Sequence, residues 1–226
     1  VSEKTRELND ALTHEKELNE LKSRFVSMAS HEFRTPLSTI LSSAYLLEKY
    51  DAVDDQVKRH RHIQRIISSV NIMTDILNEF LSVGKIEEGK IHVKREEIHI
   101  ADLIRNTIDE IRVNLKPGQY ISFIHKGAND LFNIDKSLFT YIILNLISNA
   151  SKFSAEQEAI EVFSEIKDHQ LITTVTDHGI GISKADQEHL AERFFRGGNA
   201  TNFQGTGLGL HIVSKYVELM DGHLEW

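Results

Sequence analysis

The chain has 226 residues, 40% of them apolar and 27% charged, with a formal net charge of −8, which allows one large domain or two modest ones. The acid excess and the scattered lysines and arginines argue against nucleic acid as a partner, because neutralising a phosphate backbone takes clustered cations. The absence of cysteine excludes disulfides and thiolate chemistry. The longest uninterrupted apolar run falls far short of the roughly 20 residues that span a bilayer.

No signal peptide is visible, and the sequence opens at Val1 inside a polar helical pattern. It therefore reads as a fragment of a longer protein, with any upstream sensor or membrane segment out of view. Residues 1 to about 50 read as one long helix. Leu18, Leu21, Phe25 and Met28 form a heptad seam, which Leu8 and Ala11 extend weakly toward the start. On this register positions 32 and 35 continue the seam and His31 falls on its flank. Pro36 removes one helical N–H and clashes with the preceding turn, so a local kink is expected. Apolar positions resume at Leu37, Ile40, Leu41, Ala44 and Leu47.

Lys49 to Gln56, with Asp51, Asp54 and Asp55, reads as a turn. Ile63, Ile66, Val70, Met73, Leu77 and Phe80 then mark a second helix with a single seam. Two such helices make half a bundle, and two copies complete a four-helix bundle, so a homodimer is expected. Gly84 and Gly89 mark its end and a hinge around Lys85–Gly89.

Beyond about residue 92 the pattern becomes mixed. A short strand begins at Val93, and Ile98 to Leu115 reads as a strand end followed by a helix. Tyr120 to His125 is a strand, and Leu138 to Ala150 an apolar helix carrying two asparagines. Ile160 to Ile166 and Leu171 to Thr176 are strands joined by a turn. Lys184 to Phe195 begins helically, Gly197 to Thr206 is a loop, and Leu208 to Met220 is the last helix. Helices laid on a sheet are expected for this half.

Four segments carry chemistry. His31 stands in His31-Glu32-Phe33-Arg34-Thr35-Pro36-Leu37. Neutral imidazole is a competent nucleophile near pH 7, and Glu32 is the immediate carboxylate to accept its other ring proton. Twelve histidines occur in the chain, so a surface role for any one of them is the ordinary alternative. Asn145 and Asn149, four apart in an apolar helix, share a face and can reach one ligand, with Lys152 just beyond; capping or solvent contact is the plain alternative. Asp177-His178-Gly179-Ile180-Gly181 follows a strand, where a carboxylate can accept from an exocyclic amine and two glycines let the backbone approach a flat ring. Read plainly, it is only a turn. Gly205-Thr206-Gly207-Leu208-Gly209 is a glycine-rich turn entering a helix, suited to phosphate. Its spacing is neither the Walker phosphate loop nor the Rossmann fingerprint. Phe194, Phe195 and Arg196 precede it, with core filling the bland reading of the aromatic pair.

Taken together, over roughly residues 21 to 224, these segments resemble the sensor histidine kinases of two-component systems. The resemblance implies an α+β chain of two domains: a helical hairpin forming a dimeric four-helix bundle, then an α/β sandwich of the histidine kinase and chaperone ATPase type. Residues 1–20 would be a coiled-coil linker, 21–88 the dimerisation and phosphotransfer domain, and 89–226 the catalytic ATP-binding domain. It implies His31 as phosphoacceptor, Glu32 as general base, and Glu32 with Thr35 as the pair that dephosphorylates a response regulator receiver domain. It assigns ATP to Asn145, Asn149, Lys152, Asp177 (adenine), Gly179, Gly181, Phe195, Arg196, Gly205, Thr206, Gly207, Leu208 and Gly209, with Mg²⁺ on Asn149 supported by Asn145. His178 departs from the asparagine often found there. After Asp221-Gly222-His223-Leu224 the family normally enters another core strand, whereas this sequence ends at Trp226. Rival readings are an ATPase of the same superfamily without phosphohistidine chemistry, and a non-catalytic signalling dimer.

Overall fold

The computed structural model describes residues 2–50, 55–127, 130–200, 203 and 205–226, with side-chain placements for Leu12, Ser23 and from Val26 onward. The expected seam residues Leu8, Ala11, Leu18, Leu21 and Phe25 lie outside the described side chains, and Asp51 and Asp54 of the expected turn lie outside the described residues. The chain divides into two compact units, Val1–Phe80 with Gln204–Thr206, and Leu81–Phe203 with Gly207–Trp226.

The first unit is built from α1 (Ser2–Lys49) and most of α2 (Gln56–Glu87). Helix α1 is continuous through Pro36. Glu32, Pro36 and Ser43 are buried on α1, and His62, Ser69, Ile76 and Phe80 on α2. The recurrence of four and seven residues identifies the inner faces of a hairpin. Near its turn, His62 lies 3.4 Å from the Ser43 hydroxyl and stacks on Tyr50 with ring centroids 5.7 Å apart.

The single α2 seam expected from sequence resolves into two faces. Phe80 turns inward with Ile76, while Ile63, Val70 and Leu77, seven apart, join Ile67 and Leu81 in a stripe 43–53% exposed. Val26, Leu37, Leu41 and Tyr45 are likewise exposed on α1. Position 32 also differs from its expected place on a partner-facing seam: Glu32 is buried within one chain, and Thr35 is exposed. The reason is the heptad itself, which on a helix with two neighbours carries apolar residues toward both.

By length and composition α2 is apolar enough to cross a membrane, although it holds no uninterrupted apolar run of that length. Its apolar residues are spread at bundle spacing rather than in one block, and its inner face carries the polar side chains of His62 and Ser69.

The second unit begins with the last turns of α2. These close with Lys90 N–H donating to the Lys85 carbonyl at 2.9 Å and Gly89 N–H to that of Ile86 at 3.1 Å, the paired bonds of a Schellman end. Strand β1 (Arg95–His99) leads into α3 (Ile100–Ile111); β2 (Tyr120–Lys126) and β3 (Leu131–Asp135) precede α4 (Lys136–Phe153). Strands β4 (Ala159–Lys167) and β5 (Gln170–Thr176), the short α5 (Lys184–Gln187) and α6 (Gly209–Leu219) complete the order. Strand β4 is central, parallel to β2 with Tyr120 opposite Ala159, and antiparallel to β5 with Glu161 opposite Thr176. A separate antiparallel pair joins β1 and β3. The first strand thus starts at Arg95 rather than Val93, and β3 is an element the sequence reading did not identify.

Alternation on β4 turns Ile160, Val162 and Ser164 inward. Ile160 and Val162 meet Ile100, Ile104 and Ile108 of α3 and Ile143 and Ile147 of α4 in one core. The start of α4 is fixed by Asp135, whose Oδ1 accepts from Ser137 and Leu138 N–H, both at 3.0 Å, while Oδ2 accepts from Lys94 N–H at 2.7 Å. Such N-capping is worth about 1 kcal/mol.

Candidate phosphoacceptor and nucleotide sites

In the first unit, the His31 side chain is 75% exposed, whereas that of Glu32 is 7% exposed. His31 Nδ1 lies 3.4 Å from Glu32 Oε1, a long contact that orders the ring weakly. If Nδ1 carries the proton toward this oxygen, the Nε2 lone pair faces solvent. Glu32 Oε2 is buried with no hydrogen-bond partner among the described residues, leaving a carboxylate with unused acceptor capacity beside an exposed imidazole. Pro36 bears on the same residue, since it has no N–H to offer the carbonyl four positions back, that of Glu32. The Thr35 side chain is exposed one turn away, and its carbonyl accepts from Thr39 Oγ1 at 3.1 Å.

In the second unit, the buried face of α4 leaves Asn145 and Asn149 on its half-exposed side. Asn149 Nδ2 donates to Asn145 Oδ1 at 3.0 Å. This turns the Asn149 oxygen away from its neighbour, and amide oxygen is a hard ligand of the kind Mg²⁺ accepts. Helix α6 starts against the same pair. A Cβ on Gly209 would stand 2.5 Å from Asn145 Nδ2, so the approach requires glycine. The two helices are held by buried Leu208, Ile212 and Val213 and by edge-to-face packing of Tyr141 on Tyr216, centroids 5.2 Å apart.

Ahead of α6, Gly207 adopts φ +70° and its carbonyl accepts the Phe194 N–H at 3.0 Å. A side chain there would meet the Phe195 carbonyl oxygen at 2.7 Å. Backbone, not side chain, therefore fills the space where Gly207, Leu208 and Gly209 enter the helix, and a helix start favours anions. Asp177 is exposed beyond β5, and its Oδ1 accepts Gly179 N–H at 2.8 Å. Ile180 N–H donates to the Phe153 carbonyl at 3.3 Å, tying this turn to the end of α4. The Gly181 carbonyl accepts from Asn199 Nδ2 at 3.0 Å.

Other expected ligands are held differently. Lys152 Nζ lies 4.9 Å over the Phe153 ring. Arg196 donates to the Ala200 carbonyl at 3.2 Å and to that of Phe203. Phe195 packs near the His189 ring. Gly205 and Thr206 group with the first unit, where the buried Thr206 hydroxyl donates to Glu79.

Sequence reasoning missed the brace beneath α4. Lys116 Nζ donates to the carbonyls of Lys152 and Ser154 at 2.8 and 2.7 Å. Gln119 Nε2 donates to those of Ser151 and Ala155 at 3.1 and 2.9 Å. These bonds satisfy the open end of the helix that carries the asparagines. The only sequence signal was the Lys116-Pro117-Gly118-Gln119 turn. Arg193 was likewise missed: it pairs with Glu87 at 2.5 Å, and its Nε donates to His211 Nε2 at 3.3 Å.

Residues 21–89 match the family model of the His Kinase A phospho-acceptor domain. Residues 134–226 match that of the histidine kinase-, DNA gyrase B- and HSP90-like ATPases. Among curated relatives, the circadian input-output histidine kinase CikA of Synechococcus elongatus is 29% identical over all of this chain and 30% of its own length. The sensor protein GacS of Pseudomonas syringae pv. syringae is 31% identical over 96% of this chain and 25% of its own. The chain spans about half or less of the curated relatives it matches. The crystal structure of full-length ShkA with AMPPNP superposes with a TM-score of 0.62 at 25% identity, covering 85% of this chain and 40% of that one. A phosphoacceptor domain followed by an ATPase domain of this type, over a chain that aligns throughout with named histidine kinases, makes this protein a member of the sensor histidine kinase family.

Proposed function

We propose that the protein phosphorylates His31 with the γ-phosphoryl of ATP and passes that group to an aspartate on a response regulator receiver domain. The observation that carries the reading is the exposed His31 imidazole beside the buried Glu32 carboxylate, in a chain that also holds an ATPase domain. His31 Nε2 attacks the γ-phosphorus, the bond to the β,γ-bridging oxygen breaks, and ADP leaves. Glu32 accepts the Nδ1 proton as the ring becomes cationic. Asn145, Asn149, Lys152, Asp177, Gly179, Gly181, Phe195, Arg196 and Gly207 to Gly209 form the nucleotide site, with Asp177 receiving the adenine amine. Mg²⁺ would be held by Asn149, supported by Asn145, and supplies charge neutralisation on the phosphates. Among the described residues no cluster of three His, Cys, Asp or Glu side chains forms a metal cage, consistent with an ion shared between one or two amides and the nucleotide.

The domains of this reading are 21–88 for dimerisation and phosphotransfer and 89–226 for catalysis, in the cytoplasm. The exposed stripes on α1 and α2 are covered by a second copy, giving a homodimer. Glu32 and Thr35 also serve to dephosphorylate the receiver, Thr35 positioning the water. Incubation with γ-labelled Mg–ATP tests the reading: acid-labile, alkali-stable label that His31→Gln abolishes supports it. Release of free phosphate without protein label favours an ATPase lacking phosphohistidine chemistry instead.

A further inference from the structure

Helix α2 is one continuous helix, yet its last seven residues, Leu81–Glu87, belong to the second unit. They end in an acid. A carboxylate in the last turn of a helix is repelled by the helix dipole, so Glu87 breaks a local rule unless a partner compensates. That partner is Arg193, with the two charges 2.5 Å apart and both side chains partly buried. Arg193 is held from the other side by His211 of α6, whose Nε2 accepts from Arg193 Nε at 3.3 Å while Nδ1 donates to the Ala191 carbonyl at 2.8 Å. His211 is buried, and its two bonds define the neutral tautomer with the proton on Nδ1.

The next residue, Phe194, donates its N–H to Gly207, the turn that enters α6 beside Asn145. A continuous path of ion pair, hydrogen bonds and backbone therefore runs from the end of α2 to the phosphate-facing turn, all within the second unit.

We infer that Arg193 is a positioning residue that couples the C-terminal turn of α2 to the nucleotide-binding turn at Gly207–Gly209. The inference rests on the nucleotide-site reading above. By linkage the coupling works in both directions: nucleotide steadies the end of α2, and displacement of that end is felt at the turn. This gives the helix that leaves the phosphoacceptor domain a way to register whether the ATP site is filled, using a residue that touches neither phosphate nor histidine.

The test follows amide hydrogen exchange in the full chain with and without Mg–AMPPNP. In the unsubstituted protein, nucleotide slows exchange across Leu81–Glu87 about 10-fold, within the usual coupling range. In Arg193→Gln and Glu87→Gln that slowing falls below about 2-fold, while the Mg–AMPPNP Kd changes less than about 3-fold. The charge swap Glu87→Arg with Arg193→Glu restores at least about half of it, which a merely structural role would not allow. Undiminished slowing in Arg193→Gln, or a folded charge swap that restores nothing, overturns the coupling. So does an unsubstituted protein that binds nucleotide with no response in α2, and this result leaves the kinase reading intact. Failure to bind nucleotide at all overturns both, and the titration itself distinguishes it.

Discussion

The two units bury their apolar residues by different means. The second closes on itself: Ile100, Ile104, Ile143, Ile147 and Ile160 are each 0–1% exposed in a core shared by helices α3 and α4 and the strands. The hairpin of the first buries one face of each helix and leaves the other, including Leu37, Leu41, Val70 and Leu77, open to water. One unit buries its apolar residues within a single chain. The other leaves a second apolar surface open, and its proposed phosphoacceptor, His31, stands exposed on α1. Stability in the second unit should therefore be a property of one chain, and in the first a property of two.

The largest break in that comparison comes from the reactive group. His31→Gln should reduce autophosphorylation by at least about 1,000-fold, as removal of a nucleophile does, with Mg–ATP affinity in isothermal titration changed less than about 2-fold. Next, Gly209→Ala places a methyl against the Asn145 amide. An overpacking cost of about 1–3 kcal/mol should appear as weaker Mg–ATP binding, with dimerisation by sedimentation untouched.

Core and stripe residues separate the units directly. Ile147→Ala should lower the stability of the second unit by about 2–5 kcal/mol in thermal unfolding, at any protein concentration. Leu77→Asp should leave that transition unchanged and make the unfolding midpoint of the helical unit fall with a raised dimer dissociation constant, read by concentration-dependent melting.

The smallest effect is acid sensitivity. Burial, ahead of every other influence, holds the His211 pKa below its ordinary value near 6.5; Arg193 and Lys215 lower it further, while the Ala191 carbonyl and Glu87 oppose them. With the folded pKa below the unfolded one, the unfolded chain binds the extra proton as pH falls through 6.5, so stability declines on acidification and recovers above it. The exposed pairs His99–Asp130 and His189–Glu192 act with opposite sign, their histidine pKa values being raised chiefly by hydrogen bonds to the acids, so their contribution fades as pH rises. Comparing His211→Gln with the unsubstituted protein by chemical denaturation between pH 5 and 8 isolates the buried histidine, and the substitution should flatten the acid limb.

Legibility in the sequence follows the same division. The long helices announce themselves by period, and the proposed site segments stand out by residue types that have few structural reasons to be together. What escaped was set by tertiary pairing. Strand β1 reads Arg-Glu-Glu-Ile-His and β3 Leu-Phe-Asn-Ile-Asp, neither alternating clearly; each is a strand because the other is opposite. The α2 pattern of three and four could not say that Ile63 and Phe80 face different neighbours. The Lys116 and Gln119 brace and the Glu87–Arg193 pair join residues 32 or more apart in sequence, through contacts that leave no periodic trace.

In the proposed mechanism the nucleotide's terminal phosphoryl moves to one ring on α1. Phosphopeptide mapping of the full chain by electron-transfer mass spectrometry, after incubation with Mg–ATP at neutral pH, tests it most directly. An added phosphoryl is expected on the His31 imidazole and none in His31→Gln. A modification confined to any other residue, or an unmodified His31 in protein that has bound and turned over ATP, would contradict it.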